Sequence, residues 1–183
     1  MSVTTHYALW THPGWYSRAA DAIGVELARP SAERLLLTYR VAGRIDDIAL
    51  PPPGPPLRRD RLWESTCFEL FLQPPGTGGY VEFNFAPSGE WAAYSFEAYR
   101  SGMAQSGVPA APQIACTRTA DAMTIEVALS LWPMREPCRL GLAAIIDEGV
   151  GPKSYWAISH AGAEPDFHRA DCFVGELPPP PAP

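Results

Sequence analysis

Hydrophobic and polar positions alternate in short runs along most of this chain. Met123, Ile125, Val127, Leu129 and Leu131 stand at every second position, against Thr124, Glu126, Ala128 and Ser130. Leu35, Leu37, Tyr39 and Val41 do the same against Leu36, Thr38 and Arg40. Val81, Phe83 and Phe85 alternate with Tyr80, Glu82 and Asn84, and Ala92, Tyr94 and Phe96 with Trp91, Ala93 and Ser95. Successive side chains of a strand point to opposite faces, so a period of two predicts strands with one face toward a core. On this spacing Phe83, Phe85, Ile125, Val127, Leu129, Leu140 and Leu142 are core. Similar runs occupy 23–28, 114–119, 140–146, 155–159 and 172–177, with a short one at 6–9. The 21 Pro and 15 Gly cluster between the runs, where they act as turn punctuation. No segment reads as a helix beyond one short turn near 130–134. About ten strands with mostly local connections predict an all-β protein, a two-sheet antiparallel β-sandwich.

The segment from Arg61 to Leu72 carries the most information. Read as one strand, it puts Leu62, Thr66, Phe68, Leu70 and Leu72 on one face and Trp63, Ser65, Cys67, Glu69 and Phe71 on the other. The second set mixes aromatic rings with a carboxylate. A ring that stacks on C–H faces beside a hydrogen-bond acceptor suits a sugar; an ordinary sheet face is the other reading.

Composition narrows the function classes. The 183 residues predict one domain over 1–177 with a Pro-rich tail at 178–183, poorly ordered. A hydrophobic fraction of 46% with six Trp belongs to a folded chain. The net charge of −6, with no basic cluster beyond 58–61, argues against nucleic acid as a partner. No apolar run is long enough to span a membrane. The first ten residues lack the pattern of a secretory signal, so a cytoplasmic location is expected. Cys67, Cys116, Cys138 and Cys172 are widely spaced with no CxxC, which predicts free thiols packed as small hydrophobes and no zinc site. The proline-rich run 51–56 cannot join a ladder and predicts a stiff surface loop.

Enzyme signatures are scarce. There is no phosphate-binding glycine loop, no G-x-S-x-G elbow and no H-E-x-x-H. His160, Asp166 and His168 share a loop without diagnostic metal spacing. Glu69 and Glu82 can face one another on adjacent strands. Such a pair can serve glycoside hydrolysis, hydrogen-bond a sugar, or flank arginines.

Four stretches carry a family resemblance. Arg61-Leu62-Trp63-Glu64 through Phe68-Glu69-Leu70-Phe71-Leu72 resembles the W-E-x-x-x-V-E-I-F strand of the family 9 carbohydrate-binding modules and the wider DOMON-like group. Tyr80-Val81-Glu82-Phe83-Asn84-Phe85 is similar to their Y-x-x-N-F strand, and Thr124 through Trp132 to their V-E-A-A-I-x-W strand. Gly141 to Asp147, then Tyr155-Trp156 through Phe167 to Phe173, Gly175 and Leu177, resembles their closing segment. The resemblance implies a jelly-roll-like sandwich that binds a mono- or oligosaccharide without catalysis and without a cofactor. It implies that Trp63 and Phe167 clamp the sugar, with Phe167 where the family has Trp, and that Glu69 accepts from its hydroxyls. Glu82 and Asn84 complete the expected set. Glu82 stands where sugar binders carry Arg, and Ile145 where they carry an amide. Each missing polar contact removes about 1 kcal/mol, which implies weak binding. A related branch binds haem through Met and His, for which Met103 with His160 or His168 is the matching pair. A small hydrolase and an interaction module without a small ligand are the remaining alternatives.

Overall fold

A computed structural model describes residues 4–134, 136–177 and Pro180. Twelve strands form: β1 (Thr4–Thr11), β2 (Ala20–Ser31), β3 (Arg34–Gly43), β4 (Cys67–Gln73), β5 (Tyr80–Phe85), β6 (Trp91–Phe96), β7 (Ala104–Gln105), β8 (Gln113–Arg118), β9 (Ala122–Ser130), β10 (Cys138–Ile146), β11 (Ser154–Ala157) and β12 (Gly175–Leu177). Every pairing between them is antiparallel. The expected all-β class is present. The remaining described helical structure is three short 3-10 turns, none of them near 130–134.

The expected division into two separate sheets is not confirmed. The strands form one hydrogen-bonded path, β7-β6-β5-β4-β10-β11-β1-β2-β3-β9-β8, with β12 added beside β10. The reason lies in β1. Its residues Thr4 to Leu9 pair with β2, while Trp10 and Thr11 pair with Ala157 and Trp156 of β11. One strand thus belongs to both halves and joins them. The sheet curls strongly, and its halves meet across a common core. Tyr39 of β3 packs on Phe68 of β4 with ring centroids 5.1 Å apart, and its hydroxyl donates to the Glu69 carbonyl at 2.8 Å.

The period-two reading of the core holds. Phe83, Phe85, Ile125, Val127, Leu129, Leu140 and Leu142 are all buried in the main cluster. The four cysteines are free, and Cys67, Cys138 and Cys172 are buried. The 51–56 run forms no strand. The tail 178–183 lies outside the described residues, apart from Pro180.

A second buried cluster covers the outer face of β4, β5, β6 and β10. It includes Cys67, Phe71, Tyr80, Tyr94, Phe96, Ile145, Phe167 and Phe173. The sheet here has side chains packed on both faces, and every residue of β4 is buried. Loops supply the outer layer, chiefly 97–103 and 158–173.

Phe83 has no exposed surface. Its truncation to alanine should destabilise the fold by about 3–5 kcal/mol through lost burial and a residual cavity. Urea unfolding of Phe83→Ala, read from the shift in midpoint at unchanged slope, measures this. A loss under about 1 kcal/mol would be incompatible with this register.

Candidate functional site

Register decides which side chains meet on the outer face. Glu69 of β4 stands opposite Asn84 of β5 and Ala143 of β10, and Asn84 stands opposite Ala92 of β6. In the next row Phe71 lies between Gly141 and Glu82, and Glu82 lies opposite Tyr94. The row through Glu69 is therefore flanked by small side chains. A cavity of about 320 Å³ sits here. Glu69 and Glu82 line it, with Ile145 beside them and Trp63, Tyr155 and Phe167 among its aromatic residues. Phe96, Arg100, Met103, Pro165 and His168 complete the lining.

Trp63 arrives by a different route from the one its spacing suggests. Leu62–Glu64 is a 3-10 turn, not the start of the strand, and Arg61 before it has left-handed backbone (φ 66°). Trp63 and Glu69 share a cavity because this turn carries the indole to it. Their even separation along the sequence is irrelevant. Tyr94 supports the indole edge-on, with ring centroids 5.8 Å apart. Tyr94 is itself fixed by its hydroxyl, which donates to Asp60 Oδ1 at 2.6 Å, and by the Arg58 guanidinium 5.3 Å over its ring. Phe167 packs on Tyr155 at 6.2 Å.

The structure brings together Trp63, Glu69, Glu82 and Phe167 of the sequence-derived set. Asn84 is different. It is fully buried and does not line the cavity. Its amide Nδ2 donates to Glu82 Oε1 at 2.6 Å, and its Oδ1 accepts from Cys67 Sγ at 3.4 Å. With both ends engaged, it orients Glu82.

The two glutamates are 3% and 4% exposed. Burial raises the pKa of both carboxyls, and the charge of Glu82 raises Glu69 further. The Asn84 hydrogen bond and the field of Arg100 oppose the rise at Glu82, and Arg100 opposes it at Glu69. Glu82 Oε2 lies 3.8 Å from His168 Nε2. His168 supplies no positive charge at neutral pH, because burial and then Arg100 push its pKa down to about 4. Tyr80 Oη sits 2.9 Å from His168 Nδ1 and accepts the Arg100 backbone N–H at 3.3 Å. The Tyr80 hydroxyl thus engages Nδ1, and the other ring nitrogen, Nε2, faces Glu82.

Sequence reading missed Arg100 and weighed its partner Asp166 only as a metal ligand. Arg100 bonds Asp166 Oδ1 through Nη2 at 2.8 Å and Nε at 3.2 Å, and Tyr99 donates to Asp166 Oδ2 at 2.6 Å. Against the cost of burial, the bonds from Tyr99 and Arg100 hold the Asp166 carboxyl below its ordinary range. This pair joins loop 97–103 to loop 158–173 across the sheet. Arg100 has left-handed backbone (φ 49°), the only available signal being its place after Tyr99 in a turn.

Met103 and His168 both line the cavity, but they do not suit a haem. His168 Nδ1 is taken by Tyr80, and its Nε2 faces a buried carboxyl. Two carboxyls on the cavity lining are also a poor surface for a flat apolar macrocycle. His160 does not line the cavity; its Nε2 meets the Trp10 carbonyl at 2.7 Å. Among the described residues no group of three or more His, Cys, Asp or Glu is arranged to hold a metal. Nor is any described helix long and apolar enough to cross a membrane.

These pKa directions fix how stability depends on pH. A carboxyl raised in the folded state binds its proton more tightly there than in the unfolded chain. Its contribution is complete below about pH 4 and declines as pH rises through the folded value. Glu69→Gln removes that decline. The variant should be more stable than the parent by about 1–3 kcal/mol at pH 7.5, with the gain vanishing below about pH 4. Urea melts at both pH values test it; equal stability at pH 7.5 would show that the pair costs the fold nothing. His168 should titrate near pH 4 by NMR of its ring protons.

No family model and no curated protein matches this chain. A solved structure from Bacteroides uniformis ATCC 8492, described as that of a candidate carbohydrate-binding protein, is similar in fold. The TM-score is 0.62 at 15% sequence identity, over 96% of this chain and 85% of that one. The likeness is one of fold: the chain shares its all-β architecture with that protein.

Proposed function

We propose that this chain is a non-catalytic carbohydrate-binding-like module that takes a small sugar in the cavity lined by Trp63, Glu69, Glu82 and Phe167. One observation carries the reading. The Glu69 carboxyl is almost fully buried, lines an aromatic-rich cavity, and accepts no hydrogen bond from any described residue. Its oxygens are not among the fully enclosed unpartnered atoms; they open on the cavity, where the hydroxyls of an entering sugar can donate to them. Rings that stack on a pyranose and carboxyls that bind its hydroxyls are the chemistry present. A volume of about 320 Å³ suits one or two sugar units. The fold shared with the Bacteroides uniformis protein supports the same reading.

A hydrolase reading draws on the same two carboxyls, whose raised pKa values suit acid–base work. Steady turnover of aryl glycosides, lost in Glu82→Gln, would favour it over a binding module.

The binding reading is tested by calorimetry or ligand-observed NMR with glucose, xylose and their β-1,4-linked disaccharides. With Glu82 and Ile145 at positions that suit other polar partners, the Kd should be about 1 mM, or about −4 kcal/mol. Trp63→Ala should weaken binding at least tenfold while leaving the fold intact. Unchanged binding in that variant would remove Trp63 from the site.

A further inference from the structure

The charge balance of the cavity sets a narrower requirement on its ligand. Two buried carboxyls line it, on diagonally adjacent positions of β4 and β5. The groups that could balance them are few. Arg100 spends its guanidinium on Asp166 and contacts neither glutamate. His168 approaches Glu82 but is neutral above about pH 4. Asn84 and Cys67, which flank Glu69 on the sheet, carry no positive charge. On the other face of β4, Tyr39 bonds only the backbone carbonyl of Glu69. Ala143 and Ile145 of β10 are apolar. The lining therefore offers two carboxyls, one of them without a hydrogen-bond partner among the described residues, and no free cation. Around them stand Trp63, Tyr155, Phe167 and Phe96. Aromatic faces beside carboxyls are the surroundings that attract an ammonium.

We propose that the sugar taken by this cavity carries a free amine, held as an ammonium beside Glu69 and Glu82 among the aromatic side chains. The inference rests on the carbohydrate reading and names the class of sugar. Burial raises both carboxyl pKa values, which favours a proton held by the pair when a neutral sugar is bound. An amino sugar enters as the ammonium, one proton held by the pair leaves to the buffer, and no covalent bond changes.

The test is calorimetry at pH 6.5 in two buffers of different ionisation enthalpy, neither a primary amine. The probes are glucosamine, glucose, N-acetylglucosamine and cyclohexylamine. Glucosamine should bind at least about tenfold more tightly than glucose or N-acetylglucosamine and release about one proton. Glu69→Gln, similar in size and checked for folding by circular dichroism, should erase that preference, and Glu82→Gln should reduce it. Equal or tighter binding of glucose would overturn the inference and leave the carbohydrate reading standing. Binding of cyclohexylamine with no binding of any sugar would keep the ammonium site and overturn the carbohydrate reading. No binding of any of the four overturns both.

Discussion

Strand β4 is covered on both faces, and the site follows from that constraint. Phe68, Leu70 and Leu72 face the core shared by the two halves of the curled sheet. Cys67, Glu69 and Phe71 face outward and still need cover. That cover comes from loops and a 3-10 turn, which cannot fill space as evenly as a second sheet. Over Phe71 the layer closes. Phe173 lies on it at 5.5 Å, and Gly141 lets it in, because a Cβ there would stand 2.7 Å from the Phe173 ring. One row along, Ala143 and Ala92 flank Glu69 and Asn84, and the layer stays open. The cavity is the part of the outer layer that small sheet residues leave unfilled.

What lines it works against the fold. Two adjacent buried carboxyls lose hydration and repel one another when ionised. A structural layer would be better served there by apolar side chains, as it is at Phe71 and Tyr80. Asn84 instead holds Glu82, while Glu69 has no such support. Groups that weaken a fold and sit together at a cavity are where function is found, because binding can repay what folding loses.

The strands were legible because one period governs them. Met123 to Leu131 and Leu35 to Val41 follow core burial residue by residue. Three features escaped. The single curled sheet depends on β1 pairing with two partners, and no pattern within Thr4–Thr11 announces a change of partner. The turn at Leu62–Glu64 was hidden because its residues happen to continue the alternation of β4. Strand β7 has two residues, too few to show a period. Glu69 and Glu82 stood out as charges in apolar strands. Arg100 and Tyr155 did not, and His168 was weighed only as a metal or haem ligand, because their place at the cavity depends on which loops meet above the sheet.

That meeting has its own consequence for binding. Arg100 and Asp166 tie loop 97–103 to loop 158–173, and Asp166 also accepts the His168 backbone N–H at 3.2 Å. Arg139 fastens the far end of the second loop through the carbonyls of Ala170 and Phe173. At the near end His160 meets the Trp10 carbonyl. Phe167 and His168 thus sit on a segment held at both ends and beside its middle. A ligand entering between such supports spends little of its binding free energy on ordering the protein. For the proposed carbohydrate reading, an incomplete set of polar contacts is then compatible with measurable affinity, since the aromatic residues and the carboxyls are in position without a ligand.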